Sequence, residues 1–114
     1  MKAILLPMLL AATAVAMPAW AHAHLTSTEP KANASVKSPN LIRLLFSESL
    51  EPAFSGASLS DATGKAIPVS AAVGATTLTL MPLALKPGSY KVTWHSVGHD
   101  THRVGGAFTF KVVP

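Results

Sequence analysis

From residue 40 onward the apolar side chains recur at every second position, in short runs that proline and glycine interrupt, and this pattern restricts the chain to β-structure. Ile42, Leu44 and Phe46 alternate with Leu41, Arg43 and Ser47, the period of a strand with one face in a core. Thr76 to Leu80 alternates threonine with leucine and stops at Pro82. Tyr90, Val92 and Trp94 alternate with Lys91, Thr93 and His95, and Phe108, Phe110 and Val112 alternate with Thr109 and Lys111. Shorter strands are predicted over Leu25 to Thr28, Ala57 to Ser60 and Ile67 to Ala72, the last two separated by the turn residues Asp61-Ala62-Thr63-Gly64. The stretch Leu85-Lys86-Pro87-Gly88-Ser89-Tyr90 is a turn feeding a strand whose first aromatic is Tyr90, as in the tyrosine corner of Greek-key sandwiches. No helix of amphipathic period can be placed beyond the first residues. About seven strands at this spacing predict an all-β fold, an immunoglobulin-like Greek-key β-sandwich or a small barrel.

The start of the chain is of a different kind. Lys2 precedes an almost wholly apolar run from Ala3 to Met17, and Ala19-Trp20-Ala21 puts alanine at both positions that signal peptidase inspects. The run is shorter than the ~20 residues of a spanning helix, so residues 1 to 21 are expected to be a cleaved secretory signal, with no membrane insertion afterwards. Ala21-His22-Ala23 also satisfies the small-x-small rule, and cleavage after Ala23 would leave His24 first. Taking 21 residues from 114 leaves 93, one domain over residues 22 to 114 and one modest core. Without Lys2, eight basic residues stand against five acids, a formal charge of +3. The lysines are scattered singly from Lys31 to Lys111, which excludes the basic stripe of a nucleic-acid binder. Exported domains of this size often rely on disulfides, but this chain has no cysteine. Its core must stand alone, and any metal site must use nitrogen, carboxylate oxygen or methionine sulfur.

All five histidines fall into two groups, His22 with His24, and His95, His99 and His102 before the last strand. Asp100 joins the second group in Gly98-His99-Asp100-Thr101-His102, and side chains two apart in an extended segment point the same way. If cleavage follows Ala21, the free amine and the imidazole of His22 can chelate one metal ion together, because an α-amine with pKa near ~8 yields its proton to a strong Lewis acid. Adding Asp100 and His102 gives three nitrogens and one oxygen, a tetragonal set that favours Cu(II), with zinc as the main rival. His24 offers a second mode, since a free N-terminus with histidine third can bind Cu(II) in a square plane through amine, amide nitrogens and imidazole. His95 alternates with Val92 and Trp94 and is expected to face solvent, and His99 to act beside the clamp as an auxiliary group. Other chemistries are weaker. There is no glycine-rich phosphate loop, no serine in an elbow context and no useful pair of carboxylates. Glu48 and Glu51 are read as parts of a polar strand end and loop, and Asp61 as a turn residue.

Five fragments then carry a resemblance: His22-Ala23-His24-Leu25, Leu45-Phe46-Ser47-Glu48, Phe54-Ser55-Gly56-Ala57, Pro87-Gly88-Ser89-Tyr90-Lys91-Val92-Thr93-Trp94, and Asp100-Thr101-His102 ahead of Gly105 to Val112. Together they resemble the CopC family of periplasmic copper-binding proteins, including its YobA-type members, over essentially the whole of residues 22 to 114. The resemblance implies a cupredoxin-like or immunoglobulin-like Greek-key fold and one Cu(II) held by His22, Asp100 and His102. It also implies a carrier or buffer in copper homeostasis or resistance, with a CopD-like inner-membrane transporter as partner; a monomer is expected. Some members carry a methionine-rich Cu(I) loop. Here Met1, Met8 and Met17 lie in the expected signal and Met81 alone follows, so no Cu(I) methionine site is expected. Two other readings compete. A copper monooxygenase would also use an N-terminal histidine chelate, but the chain lacks an evident flat aromatic surface for polysaccharide, and Asp100 would occupy a position kept for oxygen. A metal-free immunoglobulin-like interaction module would leave the histidine grouping unexplained.

Overall fold

The computed structural model describes residues 22–114, so the expected signal segment and its cleavage site fall outside the described residues apart from His22 and Ala23. Nine strands follow in chain order: β1 Leu25–Glu29, β2 Ser35–Val36, β3 Ile42–Phe46, β4 Gly56–Asp61, β5 Ala66–Ile67, β6 Val69–Val73, β7 Thr77–Pro82, β8 Gly88–Val97 and β9 Arg103–Val112. They form a four-stranded sheet in the order β1-β3-β7-β6 and a five-stranded sheet in the order β2-β9-β8-β4-β5. Every pairing is antiparallel except β2 with β9. The two sheets make a sandwich, and the barrel alternative is set aside because no strand among the described residues closes them. Among the described residues the remaining regular element is a 3-10 turn, Pro52–Phe54.

The alternation read from the sequence is the packing. Ile42, Leu44 and Phe46 of β3 and Leu78 and Leu80 of β7 face Leu59, Val92, Trp94, Phe108, Phe110 and Val112 of the other sheet, all buried. Burying such side chains contributes about 1.5–3 kcal/mol each, which a core without disulfides needs. Phe46 and Trp94 meet edge to face across the sandwich with ring centroids 5.4 Å apart. Tyr90 donates its hydroxyl to the Lys86 carbonyl at 2.7 Å, the bond expected of a tyrosine corner. Asp61 accepts the Thr63 and Lys65 amides at 2.9 and 3.0 Å, as its turn position requires.

Two features depart from the sequence reading. The single strand expected over Ile67 to Ala72 is two strands in different sheets, β5 beside β4 and β6 beside β7. Pro68 lies between them, and with no N–H to give to a ladder it marks the crossing. The two-residue β2 was not anticipated, since two residues show no period. The longest elements, β8 and β9, pair from Gly88↔Val112 to Val97↔Arg103, and the loop joining them carries Asp100 and His102.

Candidate metal centre

The arm ahead of β1 is held before any metal is considered. Ala23 lies outside the strands yet is fully buried. Ser96 continues the inward row of Val92 and Trp94 on β8, and its buried hydroxyl donates to the Ala23 carbonyl at 2.6 Å. Ser47, just past β3, donates its N–H to the His24 carbonyl at 2.8 Å and accepts the His24 N–H on Oγ at 3.0 Å. The same hydroxyl donates to the His22 carbonyl at 3.4 Å. A hydroxyl can donate and accept at once, so two serines fix the backbone on both sides of Ala23.

The opposing loop is set by a turn in which the Thr101 N–H donates to the Gly98 carbonyl at 3.0 Å, with Thr101 in the left-handed region at φ 65°. Asp100 Oδ1 accepts the His102 N–H at 3.2 Å. A Cβ on Gly98 would lie 3.3 Å from Asp100 Oδ1 and 3.4 Å from the Ala23 nitrogen, so glycine allows arm and loop to meet this closely.

Three of the sequence-predicted residues come together there. Asp100 Oδ2 is hydrogen-bonded to His22 Nδ1 and lies 3.2 Å from His102 Nδ1. His22, Asp100 and His102 each offer one donor atom, and these atoms lie within 4.8 Å of one another. The rings of His22 and His102 stand edge to face at 4.7 Å. Asp100 is the least exposed of the three at 19 %, against 39 % for His22 and 71 % for His102, so the cluster opens to solvent on the His102 side. Desolvation opposes ionisation of Asp100, but the hydrogen bonds from His22 and His102 outweigh it and hold the carboxyl below its ordinary value. The result is an ionised oxygen between two imidazole nitrogens, which is the donor chemistry of a cation site for a borderline metal.

The other histidines take different places. The His24 ring is exposed, edge-on to His22 at 5.8 Å and outside the three-donor cluster, while its backbone N–H is engaged by Ser47. His99, expected as an auxiliary group beside the clamp, has its Nδ1 2.9 Å from Oε1 of Glu51, a residue read from the sequence as part of a polar strand end and loop. His95 lies on the outer face of β8 as expected but is half-buried. Desolvation, aided by the Arg103 charge, pushes it below its ordinary value and keeps it neutral at pH 7. Sequence reasoning assigned Ser47 and Ser96 no role at the site, and it read Glu51 only as part of a polar strand end and loop. For Ser96 a signal existed, a serine at an inward position of an otherwise apolar alternation.

Comparison with known proteins gives one consistent answer. The CopC domain model matches residues 25–113. The chain is 43 % identical over 99 residues to protein YobA of Escherichia coli strain K12, covering 82 % of this chain and 80 % of that protein. It is 38 % identical over 109 residues to copper resistance protein C of Escherichia coli, covering 86 % of each. Among solved structures, PcoC, a methionine-rich copper resistance protein from Escherichia coli, superposes with a TM-score of 0.77 at 36 % identity, covering 82 % of this chain and all of that one (100 %). CopC from Methylosinus trichosporium OB3b superposes with a TM-score of 0.76 at 36 % identity, covering 82 % and 95 %.

Proposed function

The chain belongs to the CopC family, and from that membership we propose that it is an exported, non-enzymatic carrier or buffer of Cu(II) in copper homeostasis or resistance. It binds one copper ion per chain through His22, Asp100 and His102. The observation that carries the reading is the convergence of those three donors from opposite ends of the domain. His22 Nδ1 is the ring nitrogen turned toward Asp100. It is also the ring nitrogen that can close a six-membered chelate with the residue's own α-amine. That amine exists after cleavage behind Ala21, whereas cleavage behind Ala23 would remove His22 and one of the three donors. Export places the chain in the periplasm, where a CopD-like inner-membrane transporter is the partner that family membership suggests. Ligands must shed protons to bind, so affinity falls as pH drops through the imidazole and amine range.

The test uses the exported protein, with intact mass and N-terminal sequence determined before a Cu(II) titration against a competing chelator. One equivalent is expected, with nitrogen hyperfine structure in the electron paramagnetic spectrum. His102→Ala, or one alanine added ahead of His22, is expected to weaken binding by more than about tenfold, at least the cost of disturbing a metal's surroundings. Unchanged affinity in both variants would remove this ligand set.

A further inference from the structure

Beside the histidine–aspartate cluster, on the outer face of the five-stranded sheet, lies a groove of about 660 Å³. Its floor is a row across β4, β8 and β9 in which His95 is flanked in register by Gly56 and Gly105. The glycines leave the sheet surface hollow on both sides of the imidazole; a Cβ on Gly56 would come within 3.3 Å of the ring. One wall is the Pro52–Phe54 turn. It is pinned to β8 by the Glu51 N–H donating to the Val97 carbonyl at 2.7 Å and the Val97 N–H donating to Ser55 Oγ at 3.0 Å. This fixed turn holds Phe54 at the rim with 65 % of its surface exposed. The other wall is Arg103, which has no carboxylate within ion-pair distance among the described residues, while Glu51 is engaged by His99.

An exposed aromatic on a rigid support beside an uncompensated guanidinium is the composition of an interaction hot spot. We propose that this groove docks a segment of a partner protein that presents an apolar side chain next to a carboxylate. The carboxylate meets Arg103, whose planar fork suits it, and the apolar side chain covers Phe54 and Val97. Thr101 lines the groove and stands in the chain between Asp100 and His102. A docked segment therefore lies against the loop that carries two of the three converging donors, where a partner exchanging the ion would have to be. The surface includes none of the three converging donors and does not depend on copper being the cargo.

The test is a nuclear magnetic resonance titration of the exported protein, kept metal-free, with acetyl-Gly-Phe-Asp-Gly-amide as the probe. Saturable shifts confined to Phe54, His95, Val97, Thr101 and Arg103 are expected. The two exposed-site variants Arg103→Gln and Phe54→Ala should each weaken binding about tenfold without changing the fold, the size of one charge-assisted or hot-spot contact. The proposal is overturned if no saturable shift appears at the groove or if either variant binds as the parent does. It is equally overturned if the probe with asparagine for aspartate, the probe with glycine for phenylalanine, or free acetate binds as well as the parent probe. Because no metal is present, failure of the copper reading would leave these outcomes unchanged.

Discussion

Ser96 is where the inward row of β8 stops being apolar, and the change has a purpose that only the folded chain reveals. Its hydroxyl satisfies the Ala23 carbonyl, a residue 73 positions away, and both groups are buried. Ser96→Ala removes the donor and leaves a buried carbonyl unpaired, which costs about 1–3 kcal/mol of stability. The arm bearing His22 then loses one of its anchors, so Cu(II) affinity should fall as well, although no proposed ligand has been touched. Denaturant unfolding and a chelator competition on the same variant check both effects; unchanged stability and affinity would mean that Ser47 alone fixes the arm. The contrast between the serines and the histidines defines what was legible at this scale. An imidazole or carboxylate declares its chemistry by residue type, so His22, Asp100 and His102 could be singled out from grouping and spacing. A serine hydroxyl has no fixed role until a partner is known, and the partners of Ser47 and Ser96 are distant in the chain. The partner of His99 was hidden for the same reason, because nothing local announces Glu51 as its neighbour.

At the level of strands, the period of two was sufficient for β3, β7, β8 and β9, since each has one buried face and a register slip would expose it. It was insufficient at Pro68, where β5 and β6 run on with no break in polarity while the chain changes sheets. Period reports which face is buried and carries no information about which sheet does the burying. Pairing also explains a glycine that alternation alone leaves unexplained. Gly106 lies opposite Trp94, and a Cβ there would stand 2.7 Å from Trp94 Cζ2 and 3.0 Å from Cε2. The indole thus lies over a position that must stay empty, and from there it reaches Phe46 in the facing sheet. Gly106→Ala should force the ring or β9 to move and destabilise the fold by about 1–3 kcal/mol, the usual cost of overpacking. Thermal unfolding measures the loss, and the near-ultraviolet circular dichroism of Trp94 should change with it. By contrast Gly105→Ala, whose Cβ would meet nothing closer than the Trp94 carbonyl at 3.4 Å, should be nearly neutral.

Across the whole molecule the distribution of sulfur determines how the cargo would respond to reduction. The chain has no cysteine, and beyond the expected signal its one methionine is Met81. Met81 lies on β7 opposite Ser70 of β6, toward the edge of the four-stranded sheet, whereas the converging donors lie on the β8–β9 loop and the arm. The arm leads into β1 of the same sheet, but through Leu25↔Phe46 and Leu45↔Thr77 it meets the Thr77 end of β7, whereas Met81 lies near the other end, so the thioether is outside the cluster. Cu(I) favours soft thiolate and thioether ligands, while imidazole and carboxylate suit Cu(II). The proposed copper carrier should therefore hold Cu(II) more tightly than Cu(I), and reduction should favour release rather than transfer to a second internal site. Parallel competition titrations of the exported protein, one with Cu(II) and one with Cu(I) under reductant, measure the difference directly. Met81→Leu keeps an apolar side chain of similar size at a half-exposed position, so it should change neither affinity. One equivalent of Cu(I) retained against a mild chelator, and lost in Met81→Leu, would instead mean that the sandwich opens far enough for Met81 to reach the ion.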